Sequence, residues 1–225
     1  MSQVTLNKVQ LIIGGARSGK SSLAEQYAKS SNLPVTYIAT AQAFDAEMQQ
    51  RIAQHQAERP EHWHLIESPL LLAQAIESAI ASSTSTSGIC ILVDCLTLWL
   101  SNSLCKPNVD NDSTVDGNLN FCNLDYWQQE KAQLLSVLER IQQQKNTQES
   151  ASVERHVERR VEIILVSNEV GHGIVPMGEL SRCFVDQAGW LHQAIAKMAD
   201  NVEFVMAGLP LTLKSSEKNN QKAQL

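Results

Sequence analysis

Five short apolar runs punctuate the chain: Val9–Ile13, Val35–Ile38, Ile89–Val93, Val161–Val166 and Val202–Met206. They are rich in β-branched residues and nearly continuous in apolar character, the pattern of strands covered on both faces. Helical periodicities or long connections separate them, which predicts crossover connections and a mostly parallel sheet flanked by helices. In such sheets ligands sit at the carboxyl ends of the strands. The stretches Ala81–Gly88, Lys106–Asn120 and Gln142–Arg160 are polar and read as surface loops. Residues 1–214 read as a single domain and 215–225 as a polar tail expected to be disordered.

Composition narrows the classes. A chain of 225 residues with 43% hydrophobic content fits one α/β domain with a substantial core. The net charge of −6 argues against a nucleic-acid partner, since such proteins are more often basic. No apolar run approaches the ~20 residues that span a bilayer, and the first residues lack a secretory apolar stretch, so no membrane insertion is expected. The five cysteines, Cys90, Cys95, Cys105, Cys122 and Cys183, include no C-x-x-C pair. They are expected to be free thiols of a cytoplasmic protein, each a small buried apolar side chain.

The first apolar run leads directly into Gly14-Gly15-Ala16-Arg17-Ser18-Gly19-Lys20-Ser21, and a helical pattern follows. This is G-x-x-x-x-G-K-[ST] in the strand–loop–helix context of a phosphate-binding loop. Glycines let successive N–H groups turn inward around an anion, and the helix dipole points at the same place. Lys20 then serves the β- and γ-phosphates, and the Ser21 hydroxyl serves Mg²⁺. The alternative is a plain glycine turn.

Two further constellations carry candidate chemistry. Asp45 is a candidate N-cap for a helix that should stop near Arg59, because Pro60 disfavours helix at the residue before it. Met48, Ile52 and His55 share one face of it. His55 reads either as a histidine at a core margin or as a neutral nucleophile beside a polyphosphate, with Arg51 and Arg59 about one turn to either side. Those two arginines read equally as a solvated face paired with Glu47 and Glu58. Asp94 ends the third apolar run, where a phosphate-loop protein places a Mg²⁺-organising carboxylate. Its other reading is a cap for the following helix. Ser167-Asn168-Glu169 follows the fourth run and leads into a shaped Gly/Pro loop carrying His172, read as an exposed loop residue.

Taken jointly, Gly14–Ser21, Tyr37-Ile38-Ala39-Thr40-Ala41, Arg51-Ile52-x-x-His55-x-x-x-Arg59-Pro60-x-x-Trp63 and Asn168-Glu169-Val170-Gly171-x-Gly173-Ile174-Val175-Pro176 resemble one family. It is the bifunctional adenosylcobinamide kinase/adenosylcobinamide-phosphate guanylyltransferase of cobalamin biosynthesis, over residues of roughly 9 to 210. The resemblance implies a P-loop NTPase fold with a RecA-like sheet and a homo-oligomer, a trimer. It implies that ATP or GTP phosphorylates adenosylcobinamide. GMP then passes from GTP through a histidine to the cobinamide phosphate, releasing pyrophosphate. His55 falls on the guanylylated position. Gly14 to Ser21, Ala39, Thr40, Ala41, Gln56, Ala57, Glu58 and Arg59 fall on nucleotide-contacting segments, and Glu67 and Asp94 on acidic positions of the nucleotide site. One departure stands out: Gly189-Trp190-Leu191-His192-Gln193 occupies a stretch where the family usually reads Gly-Arg-x-Asn-Gln. Trp99, Trp190 and Met177 are candidates to line a corrinoid surface, with ordinary packing as the preferred reading of each. Two other functions remain open on the residues alone: a simple P-loop small-molecule kinase without covalent nucleotide, and a nucleotide-dependent switch or binding module.

Overall fold

The computed structural model describes residues 7–43, 46–107, 122–150 and 159–216. In chain order the elements are β1 (Lys8–Gly14), α1 (Lys20–Ser30), β2 (Val35–Ala39), α2 (Ala46–Glu58), β3 (His64–Glu67), α3 (Leu72–Ser82) and β4 (Gly88–Asp94). They continue with α4 (Leu96–Leu104), α5 (Leu124–Ser150), β5 (Arg160–Asn168), α6 (Glu179–Met198), β6 (Asn201–Met206) and β7 (Leu209–Ser215). The strands form one seven-stranded sheet in the order β3-β2-β4-β5-β1-β6-β7. Every neighbouring pair is parallel except β6 and β7, which form an antiparallel hairpin.

The apolar runs become strands because each feeds two cores. Alternate residues of a strand point to opposite faces. On one face Val9, Leu11, Ile13, Ile91, Val93, Ile163 and Leu165 pack under α3, α4, α5 and α6. On the other, Ile12, Tyr37, Cys90, Leu92, Ile164 and Val166 pack under Ala24 and Ala28 of α1 and under Trp63. A side chain at the end of a strand therefore belongs to one of two helical layers. Asp94, two residues beyond Leu92, continues the α1 side, as does Gly14, two beyond Ile12.

The strand register aligns the carboxyl edge. Glu67 pairs with Ala39 and Ala39 with Asp94, while Asp94 pairs with Val166 and Gly14 with Asn168. Strand β5 separates β4 from β1, so Asp94 lies two strand spacings, about 10 Å, from the line of the phosphate loop.

The structure corrects some sequence expectations. The stretch Gln142–Arg160 is not a loop at its start: α5 continues to Ser150. Its Gln-rich composition is favourable in a helix, and neither Gly nor Pro interrupts it. Residues 108–121, which hold most of the other expected surface loop, and residues 151–158 lie outside the described residues, as does Asp45. Strand β7 runs one residue past Lys214, and Ser216 N–H donates to Asp200 O (3.0 Å). Cys90 and Cys95 are buried as expected, but Cys105 is exposed and Cys122 and Cys183 are half-buried with sulfurs 3.0 Å apart. Trp99 is a fully buried core residue, edge-on to Trp127 at 4.9 Å, whereas Trp190 and Met177 are exposed rather than packed. Among the described residues no helix is long and apolar enough to cross a membrane.

Candidate active site at the carboxyl edge of the sheet

The loop between β1 and α1 is built for an anion. Arg17 and Gly19 both adopt positive φ, 56° and 95°, a conformation that costs an ordinary side chain about 1 kcal/mol or more and glycine little. Gly19 also meets the β6–β7 hairpin, where an added Cβ would stand 3.2 Å from Gly208 Cα. Gly14 tolerates no side chain, since a Cβ there would come within 2.4 Å of Val205 O and 2.7 Å of Ser18 Oγ. The first helical bond described for α1 runs from Leu23 N–H to Gly19 O (3.0 Å), so the amides of the preceding turn have no partner within the helix. Lys20 is buried, and its Nζ arches back over the loop to donate to Gly15 O (3.1 Å). Ser18 Oγ is buried without a protein partner. Unpaired donors, a buried ammonium and a helix dipole converge on one point, an arrangement suited to phosphate.

The hairpin fixes this loop from the far side, as Gly208 N–H donates to Ser18 O (2.8 Å). From the β5 side, Glu169 N–H donates to Gly14 O (3.0 Å). Neither contact carries a signature in the sequence, because each joins segments far apart in the chain.

Asp94 stands on the same sheet face as α1. The helix that follows is capped at Cys95, with no side-chain cap bond, so Asp94 is not its cap. Instead the carboxylate faces the Tyr37 hydroxyl. Burial, with the Asp94 charge next in weight, drives the phenol far above its ordinary range, while Arg59 works the other way. Arg59 lies over the Tyr37 ring, its guanidinium carbon 3.8 Å from the ring centroid. That contact brings the C-terminal end of α2 to the carboxyl edge, and it decides Arg59 against a purely solvated role. Tyr37 is the site residue that the sequence left without a role. Its signal was an aromatic two residues before the strand end, on the face Asp94 shares.

Thr40 closes the β2–β4 seam. Its Oγ1 donates to Cys95 O (2.7 Å) and accepts from Cys95 N–H (2.8 Å). Its own carbonyl accepts from Asn102 Nδ2 (2.8 Å). The Cys95 thiol, pushed up to about 11 mainly by burial and then by Asp94, is a neutral packing group. Ala39 and Ala41 are half-buried beside this seam. Glu67 ends the edge strand β3, in register with Ala39 and four strand positions from β1. The structure thus groups the predicted residues into a phosphate cradle at β1 and a second cluster at β2, β3 and the end of α2, with Asp94 between them. Gln56 is exposed on α2. The side chains of Arg51, His55, Ala57 and Glu58 lie outside the described residues. His172 is exposed in its loop, edge-on to Phe204 at 5.7 Å.

Comparison with known proteins agrees with this architecture. Residues 10–213 match the family described as cobinamide kinase / cobinamide phosphate guanyltransferase. The chain is 48% identical to the bifunctional adenosylcobalamin biosynthesis protein CobP of Pseudomonas aeruginosa over 204 residues, covering 91% of this chain and 96% of the relative. It is 33% identical to the bifunctional adenosylcobalamin biosynthesis protein CobU of Escherichia coli, covering 91% and 98% of the two chains. Among solved structures the ATP synthase subunit NeqB of Nanoarcheaum equitans aligns with a TM-score of 0.50 at 10% identity, over 97% of this chain and 55% of that one, a likeness of fold alone.

Proposed function

The chain belongs to the cobinamide kinase / cobinamide phosphate guanyltransferase family of P-loop enzymes, and on that footing we propose that it carries out both reactions on the cobinamide side chain. In the first, a nucleoside triphosphate, ATP or GTP, phosphorylates the aminopropanol hydroxyl of adenosylcobinamide. In the second, the His55 imidazole attacks the α-phosphorus of GTP, pyrophosphate leaves, and a GMP–histidine phosphoramidate forms. An oxygen of the cobinamide phosphate then attacks that phosphorus, which frees the histidine and gives adenosyl-GDP-cobinamide. The covalent step divides one displacement into two easier ones.

One observation carries the reading. The phosphate loop, the Asp94 carboxylate and the end of the α2 helix meet at one edge of the sheet, the last of them through the Arg59–Tyr37 stack. His55 lies one helical turn before Arg59, about 6 Å along the axis. Lys20 and the loop amides offset charge on the transferring phosphoryl group. The oxygen donors Ser21 and Asp94 suit a hydrated Mg²⁺ and would hold it, and the ion would offset negative charge on the phosphate oxygens. The exposed apolar side chains of the edge strand β7, Leu209, Leu211 and Leu213, support a homo-oligomer, a trimer by family resemblance. The free thiols among the described residues fit a cytoplasmic enzyme.

Incubation with α-labelled GTP and Mg²⁺, followed by mapping of acid-labile label, tests the covalent step. Label on His55, lost in His55→Ala while γ-phosphate transfer to adenosylcobinamide persists, is the expected result. Label retained in that variant overturns the assignment of His55. Phosphoryl transfer with no covalent nucleotide in the wild type identifies a simple kinase, and slow hydrolysis with no corrinoid-dependent turnover identifies a nucleotide switch.

A further inference from the structure

Strand β5 lies between the phosphate-loop strand and the Asp94 strand, so its last residues sit at the centre of the candidate site. Asn168 there is engaged, its Nδ2 bonding Thr97 Oγ1 (3.1 Å). Glu169 is held differently. Its peptide N–H reaches Gly14 O, which places its backbone against the first residue of the phosphate loop. Its Oε1 accepts from Gly171 N–H (2.6 Å), and a Cβ on residue 171 would stand 2.9 Å from that oxygen. Its Oε2 lies 3.6 Å from Nδ1 of His192, and the Glu169 side chain is 18% exposed. The His192 ring, buried on α6, is braced on its other side by Ser167 Oγ, 2.7 Å from Nε2. With Nδ1 protonated towards Glu169 and Nε2 accepting from Ser167, one neutral tautomer satisfies both contacts. Burial, the larger influence, holds the imidazole below its ordinary value and favours that neutral form, while Glu169 opposes it.

Beyond Glu169 the surface changes character. Ile174 and Met177 are almost fully exposed, at 98% and 94%. A cavity of about 350 Å³ opens at Pro176, lined also by Leu104 of α4, by Cys105 just after that helix, and by Leu180 and Phe184 of α6. Glu169 therefore stands on the boundary between the anion cradle on the α1 side and an apolar surface on the α4–α6 side. A carboxylate at such a boundary is placed to take the proton of a hydroxyl that a bulky acceptor offers to a γ-phosphate.

We propose that Glu169 is the proton acceptor for the acceptor hydroxyl in the phosphoryl-transfer step, and that His192 is its positioning residue. The hydroxyl oxygen bonds to the γ-phosphorus as the bond from that phosphorus to the β,γ-bridging oxygen breaks. The nucleoside diphosphate leaves with the bond's electron pair, and the hydroxyl proton passes to the Glu169 carboxylate and on to water. The assignment rests on the kinase half of the function proposed above. It assigns Glu169 no part in guanylyl transfer to His55.

The test uses the full chain with adenosylcobinamide and Mg²⁺. It follows γ-phosphate transfer, covalent GMP labelling and thermal unfolding. Glu169→Gln keeps an acceptor for Gly171 N–H and should lower the kinase kcat by about 10²–10³-fold, with KM for nucleotide and acceptor within about threefold and labelling intact. His192→Asn should lower the kinase kcat by about three- to tenfold with KM unchanged, a split that simple loss of packing would not produce. A kinase kcat for Glu169→Gln within about fivefold of wild type overturns the proposal, and so does an equal loss of both half-reactions. If Glu169→Gln unfolds below the assay temperature, Glu169→Asp withdraws the carboxylate by one methylene. A tenfold or larger loss of kinase kcat with labelling intact then supports the proposal, and wild-type kcat overturns it. A wild type that transfers no γ-phosphate to adenosylcobinamide overturns the kinase reading itself. Equal transfer by wild type and Glu169→Gln overturns only the role of Glu169.

Discussion

The two edges of the sheet are built on opposite terms. At the amino edge, Asn7 and Asp200 are used up in joining elements. Asn7 is buried, donates to Ile141 O and accepts from Val161 N–H. Asp200 accepts from Val9 N–H (2.9 Å) and Gln142 Nε2 (2.8 Å), while its own N–H donates to Val9 O. At the carboxyl edge, Ser18 Oγ and Arg59 Nε are buried without protein partners, Arg17 and Ala207 hold left-handed backbone, and Lys20 is bonded to a single carbonyl. The first edge spends its polar groups on stability. The second keeps them in reserve, an arrangement expected where a ligand supplies the missing contacts.

Substitutions separate the two. The largest effect is expected from Lys20→Ala, which should lower the kinase kcat by about 10²–10³-fold, roughly 3–4 kcal/mol of transition-state stabilisation, with the unfolding midpoint almost unmoved. Steady-state kinetics beside thermal unfolding checks both halves of that statement. Asp200→Ala is the mirror case. Loss of hydrogen bonds to a charged acceptor should cost about 2 kcal/mol, or about 4–8 °C in Tm, and leave activity per folded molecule within about twofold. A large fall in activity there would erase the contrast between the edges. Thr40→Val is the smallest and sharpest probe, because Thr40 is a structural lock placed at the working edge. It should cost about 1 kcal/mol in denaturant unfolding and, unlike Asp200→Ala, lower nucleotide affinity by several-fold, since it frees the seam beside Asp94.

The sequence made the central strands legible because burial on both faces leaves a continuous apolar run. It concealed β3 and β7 for the converse reason. β3 is a four-residue edge strand with mostly exposed side chains, and β7 interleaves Leu209, Leu211 and Leu213 with Pro210 and Thr212. The phosphate loop was readable because its chemistry is local, eight consecutive residues setting a backbone shape. Asp94 was readable as a strand end but ambiguous between cap and site, and the Cys95 cap removes the first of these while the carboxylate faces Tyr37. The clamp on Glu169 was not readable, because it needs α6 folded back onto the end of β5. His192 registered only as a departure from the family pattern. Arg59 was left open between two roles because its stacking partner lies on a strand 22 positions earlier.

The β6–β7 hairpin turns at Ala207 and Gly208, and that turn is bonded to Ser18 and pressed against Gly19. The hairpin's outer strand is the last in the sheet and carries a row of bare leucines. A subunit resting on that row would have its weight on a lever whose short arm ends at the nucleotide, so that assembly and ligand occupancy would each report on the other.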